Sequence, residues 1–452
     1  MAAVSGAGTA QWSSRFAFIM AAVGSSVGLG NLWRFSAEAG SNGGGAFILV
    51  YLVCIFFIGI PVLMSEYLMG RAGQASSAVR SVVDVAERSN VSKNWSSAAW
   101  IGMVASLLVV SFYCVVAAWV MAYIPKFLFG AFDGQSATEI AGQFDTLVAS
   151  KTSVIPYFLI FALITIWLVS RGVNKGIEFA AKTLMPIFFV LLAGLSAYGL
   201  FTSIESGGAA KAFKFMFSTD FSKINGQVAA SALGQACFSL GIGSAIMITY
   251  GSYLPKNVSI PKAAVLVGCV DTGVALIAGL AIFPIVFPSG LDFSAGAGLF
   301  FQTLPTALSN APGGNFIGAA FFFLAIFAAV TSSISLLEPI AAWVAEKFEM
   351  SKTKAAWLMG GVMVALGLCS VYSSEFFSFI DTGLTGPIML PLSALLVVIF
   401  TGWRMDKAII SGQIEGDGEA LGRFLLFLTK WIAVPFVAFV LFYGIYSNYF
   451  VG

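Results

Sequence analysis

Uncharged apolar runs of about twenty residues recur along this chain from one end to the other, and each is long enough to cross a hydrocarbon core of roughly 30 Å as a helix. With 59% hydrophobic and 10% charged residues over 452 positions, the chain is read as an all-α membrane protein. Eleven transmembrane helices are predicted, at about 15–38, 45–69, 96–126, 153–171, 176–202, 226–254, 260–288, 316–347, 354–373, 376–402 and 424–448. The connections near 70–95, 127–152, 203–225 and 289–315 are expected to be ordinary loops, the last folding as a helical hairpin over the outer face. Basic residues divide seventeen to six between the two sides, which predicts a multi-pass protein of the cell (inner) membrane with its N-terminus cytoplasmic. The six on the outer side are Arg34, Lys126, Lys151, Lys211, Lys214 and Lys223. The first twelve residues lack the basic-then-apolar design of a cleavable signal, so the first span is expected to stay as a helix.

Composition removes several functions. A net charge of +2 gives no reason to propose nucleic acid as partner, and nothing points to an obligatory protein partner. The absence of histidine excludes Ser-His and Cys-His catalysis and His-ligated zinc. No nucleophile–base pair remains, so an enzyme is not expected. The five cysteines lie singly in apolar runs without metal-ligand spacing and are read as small buried residues.

Two spans are interrupted. The first reads GSSVGLGNLWRF from Gly24 to Phe35 and the sixth GQACFSLGIGSA from Gly234 to Ala245, each with a Gly-X-Gly in mid-membrane. Glycine weakens a helix by about 1 kcal/mol relative to alanine. Unwinding frees backbone groups, each costing several kcal/mol in hydrocarbon, so a broken stretch must face protein, water or a bound solute. The same glycines also suit close helix–helix approach. Two breaks five helices apart are the signature of a five-plus-five inverted repeat whose broken helices meet at a central site. The chain is then one transmembrane domain over 1–452, with repeat one at about 12–202, repeat two at about 226–402 and an additional helix at about 424–448.

The sequence resembles the neurotransmitter:sodium symporters, in particular their prokaryotic amino-acid transporters, from Trp12 to about Trp403. The resemblance is carried by residues 21–35, NGGGAF (42–47), GIPVLMSEYLMGR (59–71), RGVNKGIE (171–178), the stretch from Gly234 to Tyr253 and AAVTSSISLLEP (328–339). The general account of broken transporter helices takes this family as its own example.

The resemblance implies a residue-level site. The N–H groups of Leu29 and Gly30, with the Tyr113 hydroxyl, would bind a substrate carboxylate, and the carbonyls of Ser26, Phe238 and Ser239 its ammonium group. Tyr113 also suits a core tyrosine. Two Na⁺ sites are implied. One uses the Ser26 carbonyl, Asn31, Ser239 and Asp271, completed by the substrate itself. The other uses the carbonyls of Gly24, Val27 and Ala328 with the hydroxyls of Thr331 and Ser332. Hydroxyls at 331–333 equally suit bonds back to their own helix. Asp271 stands where animal relatives have asparagine, and Ala275 where they bind chloride through serine, so chloride-independent transport is expected, with Asp271 supplying the negative charge among Tyr51, Gln235 and Ser239. A structural ion pair is the rival reading of Asp271, with no lysine or arginine within a turn to support it.

The implied gates are Arg34 and Asp381 with Phe238 as lid on the outer side, and Glu346, Trp12, Ser252 and Tyr253 on the inner side. The family's arginine three residues before the tryptophan is replaced by Thr9. Glu66 would accept from N–H groups of the unwound helices. The pocket walls are expected to be Ser25, Val109, Phe238, Gly241, Ser244, Ser332 and Leu336, with Gly241 and Ser244 smaller than their counterparts in a leucine-carrying relative. A sodium-coupled, alternating-access symporter of a neutral hydrophobic amino acid, bulky or aromatic, is the expectation. A sodium-coupled carrier of an osmolyte or ω-amino acid, or a non-transporting amino-acid receptor, is the alternative.

Overall fold

The computed structural model describes residues 11–290 and 298–451. Among them the secondary structure is entirely helical. The first span is two helices, α1 (Arg15–Ser26) and α2 (Gly30–Ser41), bent by 54°. The Ser14 side chain caps α1 by accepting from the Ala17 N–H, and the helix stops where Val27 turns extended. Then come α3 (Gly45–Gly73), α4 (Ala78–Arg88), α5 (Lys93–Leu128), α6 (Ala137–Ala149), α7 (Lys151–Ser170), α8 (Val173–Thr202) and α9 (Gly208–Phe217). The sixth span is again two helices, α10 (Gly226–Ser239) and α11 (Ile246–Ser252). After these follow α12 (Ile260–Ser289), α13 (residues 299–309), α14 (Gly314–Lys347), α15 (Lys352–Tyr372), α16 (Ser374–Arg404), α17 (Lys407–Ile414) and α18 (Glu419–Phe450). Nine described helices are long and apolar enough to cross a membrane and the bent pair α1–α2 makes a tenth; the expected sixth span, α10–α11, is not among them.

Three connections expected as ordinary loops hold helices instead. Each helix has apolar residues to bury: Val79, Val82 and Val85 on α4, Ile140 and Leu147 on α6, Ala212 and Met216 on α9. Of the hairpin expected near 289–315, α13 forms one arm, while residues 291–297 lie outside the described residues, as does Thr9.

The broken spans occupy the middle of the bundle: α1 packs on α14, α10 on α3, and α11 on α3, with α14 in turn packed along α5. The two breaks are built differently. In the sixth span, Gly241 (φ 63°), Gly243 (φ 78°) and Ala245 (φ 59°) are all left-handed, which glycine adopts freely and alanine at a cost of about 1–2 kcal/mol. The Gly243 N–H so released donates to Glu66 Oε1 at 2.6 Å. In the first span no residue is left-handed. There the glycines serve close approach: a Cβ on Gly28 would lie 2.8 Å from Ser332 Oγ, and one on Gly30 2.7 Å from the Phe238 ring.

The same crowding holds α3 to α11. A Cβ on Gly70 would lie 2.0 Å from the Ile248 carbonyl oxygen, whereas one on Gly142 meets nothing within 4 Å. Gly70→Ala is expected to cost about 1–3 kcal/mol through overpacking, read as a lowered melting temperature of the purified protein. Gly142→Ala should melt no lower than the parent.

Candidate functional site

Ending α1 at Val27 leaves its last carbonyls without helical partners, at the negative end of the helix dipole. Ser332 Oγ on α14 lies 3.5, 3.3 and 3.4 Å from the carbonyl oxygens of Gly24, Ser25 and Val27. Thr331 Oγ1 stands 3.1 Å from the carbonyls of Phe327 and Ala328. Thr331 therefore bonds back to its own helix, while Ser332 reaches across to α1. Gly24 permits this approach, since a Cβ there would be 3.1 Å from Thr331 Cβ. The result is a buried set of neutral oxygens from two helices, the ligand chemistry a hard cation takes.

A second cluster lies at the start of α2. Asn31 Oδ1 accepts the Gly28 N–H at 2.9 Å, and its Nδ2 donates to Asp271 Oδ1 at 2.8 Å and to Ser239 Oγ at 3.0 Å. Ser239 Oγ donates to Asp271 Oδ2 at 2.7 Å. The three residues come from α2, α10 and α12 and are buried. Among the described residues no lysine or arginine pairs with Asp271, so its carboxylate is held by neutral donors alone. Gln235 Nε2 donates to the Gly30 carbonyl at 3.2 Å, while Gln235 Oε1 and the Tyr51 hydroxyl are buried without a hydrogen-bond partner. Ser26 Oγ reaches the Leu240 carbonyl at 3.4 Å, tying one break to the other.

Beside these clusters the Leu29 N–H donates to the Tyr113 hydroxyl at 3.4 Å, and the Phe238 ring lies on Gly30. From there a cavity of about 710 Å³ runs outward, with Leu29, Gly30, Val109, Tyr113 and Phe238 in its wall. Five expected wall residues, Ser25, Gly241, Ser244, Ser332 and Leu336, are not in it. The Ser244 hydroxyl turns back onto the Gly241 carbonyl, and Leu336 is buried in packing. The Ser25 hydroxyl is buried and makes no hydrogen bond.

At the Arg34 end the two residues of the expected outer pair make no direct ion pair. Arg34 and Asp381 both line the cavity, but Arg34 Nε sits 3.8 Å from Glu38 Oε1, one turn along α2, and its guanidinium lies 4.4 Å from the Phe238 ring centre. At the opposite end, Trp12 is buried, its backbone N–H donating to the Tyr253 carbonyl at 3.1 Å and its Nε1 to the Tyr250 carbonyl at 3.0 Å. Ser252 Oγ bonds within its own turn, to the Thr249 carbonyl. The Tyr253 hydroxyl donates to Glu338 at 2.9 Å, and Lys352 from α15 donates to the same Glu338 oxygen at 2.7 Å. Glu346 Oε2 has no hydrogen-bond partner. Glu178 on α8 adds a clasp, accepting from the backbone and hydroxyl of Ser13 and pairing with Lys182. The chain is thus closed at its Trp12 end and open at its Arg34 end.

Sequence reasoning passed over Glu338, although it lies inside one of the quoted motifs. The signal was available: a carboxylate within an apolar span is a functional candidate by default. Glu38, Lys352 and Glu178 had no such signal, since each sits at a helix end where charge is ordinary.

The sodium:neurotransmitter symporter family model matches residues 9–139 and 147–442. An uncharacterized sodium-dependent transporter of Bacillus subtilis, YhdH, is 32% identical over 96% of this chain and 96% of its own. One from Haemophilus influenzae is 32% identical over 88% of this chain and 90% of its own. The crystal structure of MhsT in complex with L-phenylalanine superposes with a TM-score of 0.85 at 36% identity, covering 97% of this chain and all of that one. The match spans both broken helices and the clusters around them, and the chain belongs to the sodium:neurotransmitter symporter family, as a multi-pass, sodium-dependent membrane transporter.

Proposed function

We propose that this chain carries a neutral, hydrophobic amino acid across the cell membrane together with Na⁺, by alternating access and without chloride, its Trp12 end facing the cytoplasm. The observation that carries the reading is Asp271. A carboxylate buried in the bilayer among neutral donors is costly until a cation compensates it, and this one sits where α2, α10 and α12 converge. Na⁺ bound beside it, between Asn31, Ser239 and the Ser26 carbonyl, meets that need without a chloride ion. A second Na⁺ belongs at Ser332, Thr331 and the carbonyls of Gly24, Val27 and Ala328.

The substrate's carboxylate would take the N–H groups at the start of α2 and complete the first ion's shell. Each ligand then raises the other's affinity by the same factor, as linkage requires. The apolar wall around Val109 and Phe238, with no fixed charge between them, suits a hydrophobic side chain. The phenylalanine bound in MhsT supports the same class. Phe238, already resting on Gly30 and under Arg34, is placed to close over the substrate. Opening the other end requires breaking the contacts of Trp12, Ser13 and Glu338.

In proteoliposomes an inward Na⁺ gradient should drive uptake of labelled phenylalanine or leucine, unchanged when gluconate replaces chloride. Asp271→Asn should lose at least tenfold of that uptake in chloride-free buffer. Equal uptake by the variant under both conditions defeats the charge assignment, and gradient-insensitive uptake of every amino acid tested defeats the coupling.

Removing one hydroxyl ligand at the second ion is smaller in effect. Ser332→Ala should raise the Na⁺ concentration for half-maximal uptake about tenfold or more, as expected for losing about 1.5–3 kcal/mol of a bond to a charge. A normal sodium dependence places the ion elsewhere.

The Glu338–Lys352 pair makes the Trp12 end separately testable. Lys352→Met strands a buried carboxylate, a change that costs about 3–5 kcal/mol, and should speed alkylation of a cysteine introduced at Ser13. Adding Glu338→Gln should restore the slow rate; a double variant as reactive as the single one removes the pair from the closure.

A further inference from the structure

Half of the six basic residues assigned to the outer side fall in one segment, at Lys211, Lys214 and Lys223, and that segment also exposes three phenylalanines, Phe213, Phe217 and Phe221. Two of the lysines and two of the phenylalanines are on α9, a helix that contributes no residue to the two clusters or the cavity described above. α9 is firmly seated. Its Phe215 ring packs on Phe283 and Phe287 at 5.0 and 5.3 Å, near the end of α12, and a Cβ on Gly44 would lie 2.4 Å from the Phe215 carbonyl oxygen. Met216 fills the space beside Gly279.

Its position relative to a bilayer follows from α8. That helix starts beside Ser13 at the Trp12 end and has 30 residues, a length of about 45 Å against a hydrocarbon core of roughly 30 Å. Its end at Thr202, and α9 just beyond, therefore lie at the membrane boundary on the Arg34 side. The free face of α9 is divided lengthwise. Phe213 and Phe217, one turn apart with ring centres at 5.8 Å, form one stripe, and Lys211 and Lys214, three residues apart, form the stripe next to it. Among the described residues neither lysine has an acidic partner. The acids of the segment, Glu205 and Asp220, lie outside the helix, and Asp220 accepts from the Ser222 backbone and hydroxyl.

We propose that α9 docks on anionic phospholipid of the leaflet at the Arg34 end, with Phe213 and Phe217 in the acyl boundary and Lys211 and Lys214 on the headgroup phosphates. An aromatic stripe beside a cationic stripe, at this depth, is the pattern of a helix lying in the membrane interface. The surface is independent of the transport reading, since it needs only that the chain spans a membrane. It ties the outer ends of α3 and α12, which carry Tyr51 and Asp271, to the charge of the lipid around them.

The test uses the full chain in vesicles of phosphatidylcholine with a rising fraction of phosphatidylglycerol. A polarity-sensitive fluorophore is placed through Ala210→Cys on the exposed face, with Cys269 and Cys369, which are exposed rather than buried as expected, changed to serine. The label is expected to blue-shift as phosphatidylglycerol is added. Lys211→Gln with Lys214→Gln should lower the apparent affinity for that lipid about thirtyfold, about fivefold for each charge near an anionic surface. Arginine at both positions should keep the response. A label that responds equally to both lipids, or a double glutamine variant that responds as the parent does, overturns the proposal. If the glutamine variant melts early in phosphatidylcholine, the arginine variant decides: a retained response upholds the assignment and a lost one overturns it. A shift that follows protein-to-lipid ratio rather than phosphatidylglycerol gives the face to a second copy of the chain, and the proposal fails.

Discussion

A peptide group stripped of its helical partner inside a bilayer has to find another, and everything central to this molecule follows from doing that twice. Each unsatisfied group costs several kcal/mol in hydrocarbon. At the first break the carbonyls of Gly24, Ser25 and Val27 turn toward Ser332. At the second, the Gly243 N–H goes to Glu66. The breaks are therefore sustained by side chains on α3 and α14, which belong to the frame rather than to the broken helices. A break held only by glycine would be flexible. One held by buried acceptors and donors from neighbouring helices is a fixed feature with its dipoles already aimed.

Asp271 belongs to the same logic at the level of whole charges. Its two oxygens are engaged by Asn31 and Ser239, which orient the carboxylate but cannot neutralise it. Neutral hydrogen bonds hold a charge in place; an opposite charge or a proton removes the cost of its burial. Arg34 is occupied with Glu38 and Phe238, and Lys352 with Glu338. Among the described residues no fixed cation pairs with Asp271, and that is the charge the proposed Na⁺ would supply.

How much of this could be read in the sequence depended on the range of the interaction. The spans were legible because hydropathy is a local property, and the breaks because glycine pairs stand out inside uncharged runs. The reason for the glycines was only half legible. At Gly241 and Gly243 the backbone needs left-handed angles, whereas Gly28 and Gly30 are needed for room against Ser332 and Phe238, and a motif looks the same in both cases. Partner choice was least legible. Glu338 and Glu346 lie eight residues apart on α14, just over two turns, and the approach of Lys352 from α15 determines which of them meets Tyr253. Arg34 likewise had an acid one turn away on its own helix, a shorter reach than the one across the cavity to Asp381. Short amphipathic helices such as α6 and α9 were missed because a mean over twenty residues hides an apolar face that is only ten residues long.

The two ends of the bundle hold interactions of different kinds, which bears on the alternation proposed above. At the Trp12 end a buried aromatic, two backbone acceptors, a clasp at Glu178 and a buried ion pair all have to separate together. Such contacts are strong because water is absent, and they weaken cooperatively once it enters. At the Arg34 end the contacts are a 3.8 Å ion pair within one helix and a cation over a ring, both bordering an open cavity. Exposed pairs of that sort contribute about 1 kcal/mol or less. The contacts at the Trp12 end are thus the more numerous and the more deeply buried. In the cycle proposed above, binding energy gathered at the two breaks, where α1 touches Ser332 and α2 touches Asp271 through Asn31, would act directly on the helix whose other end follows Trp12.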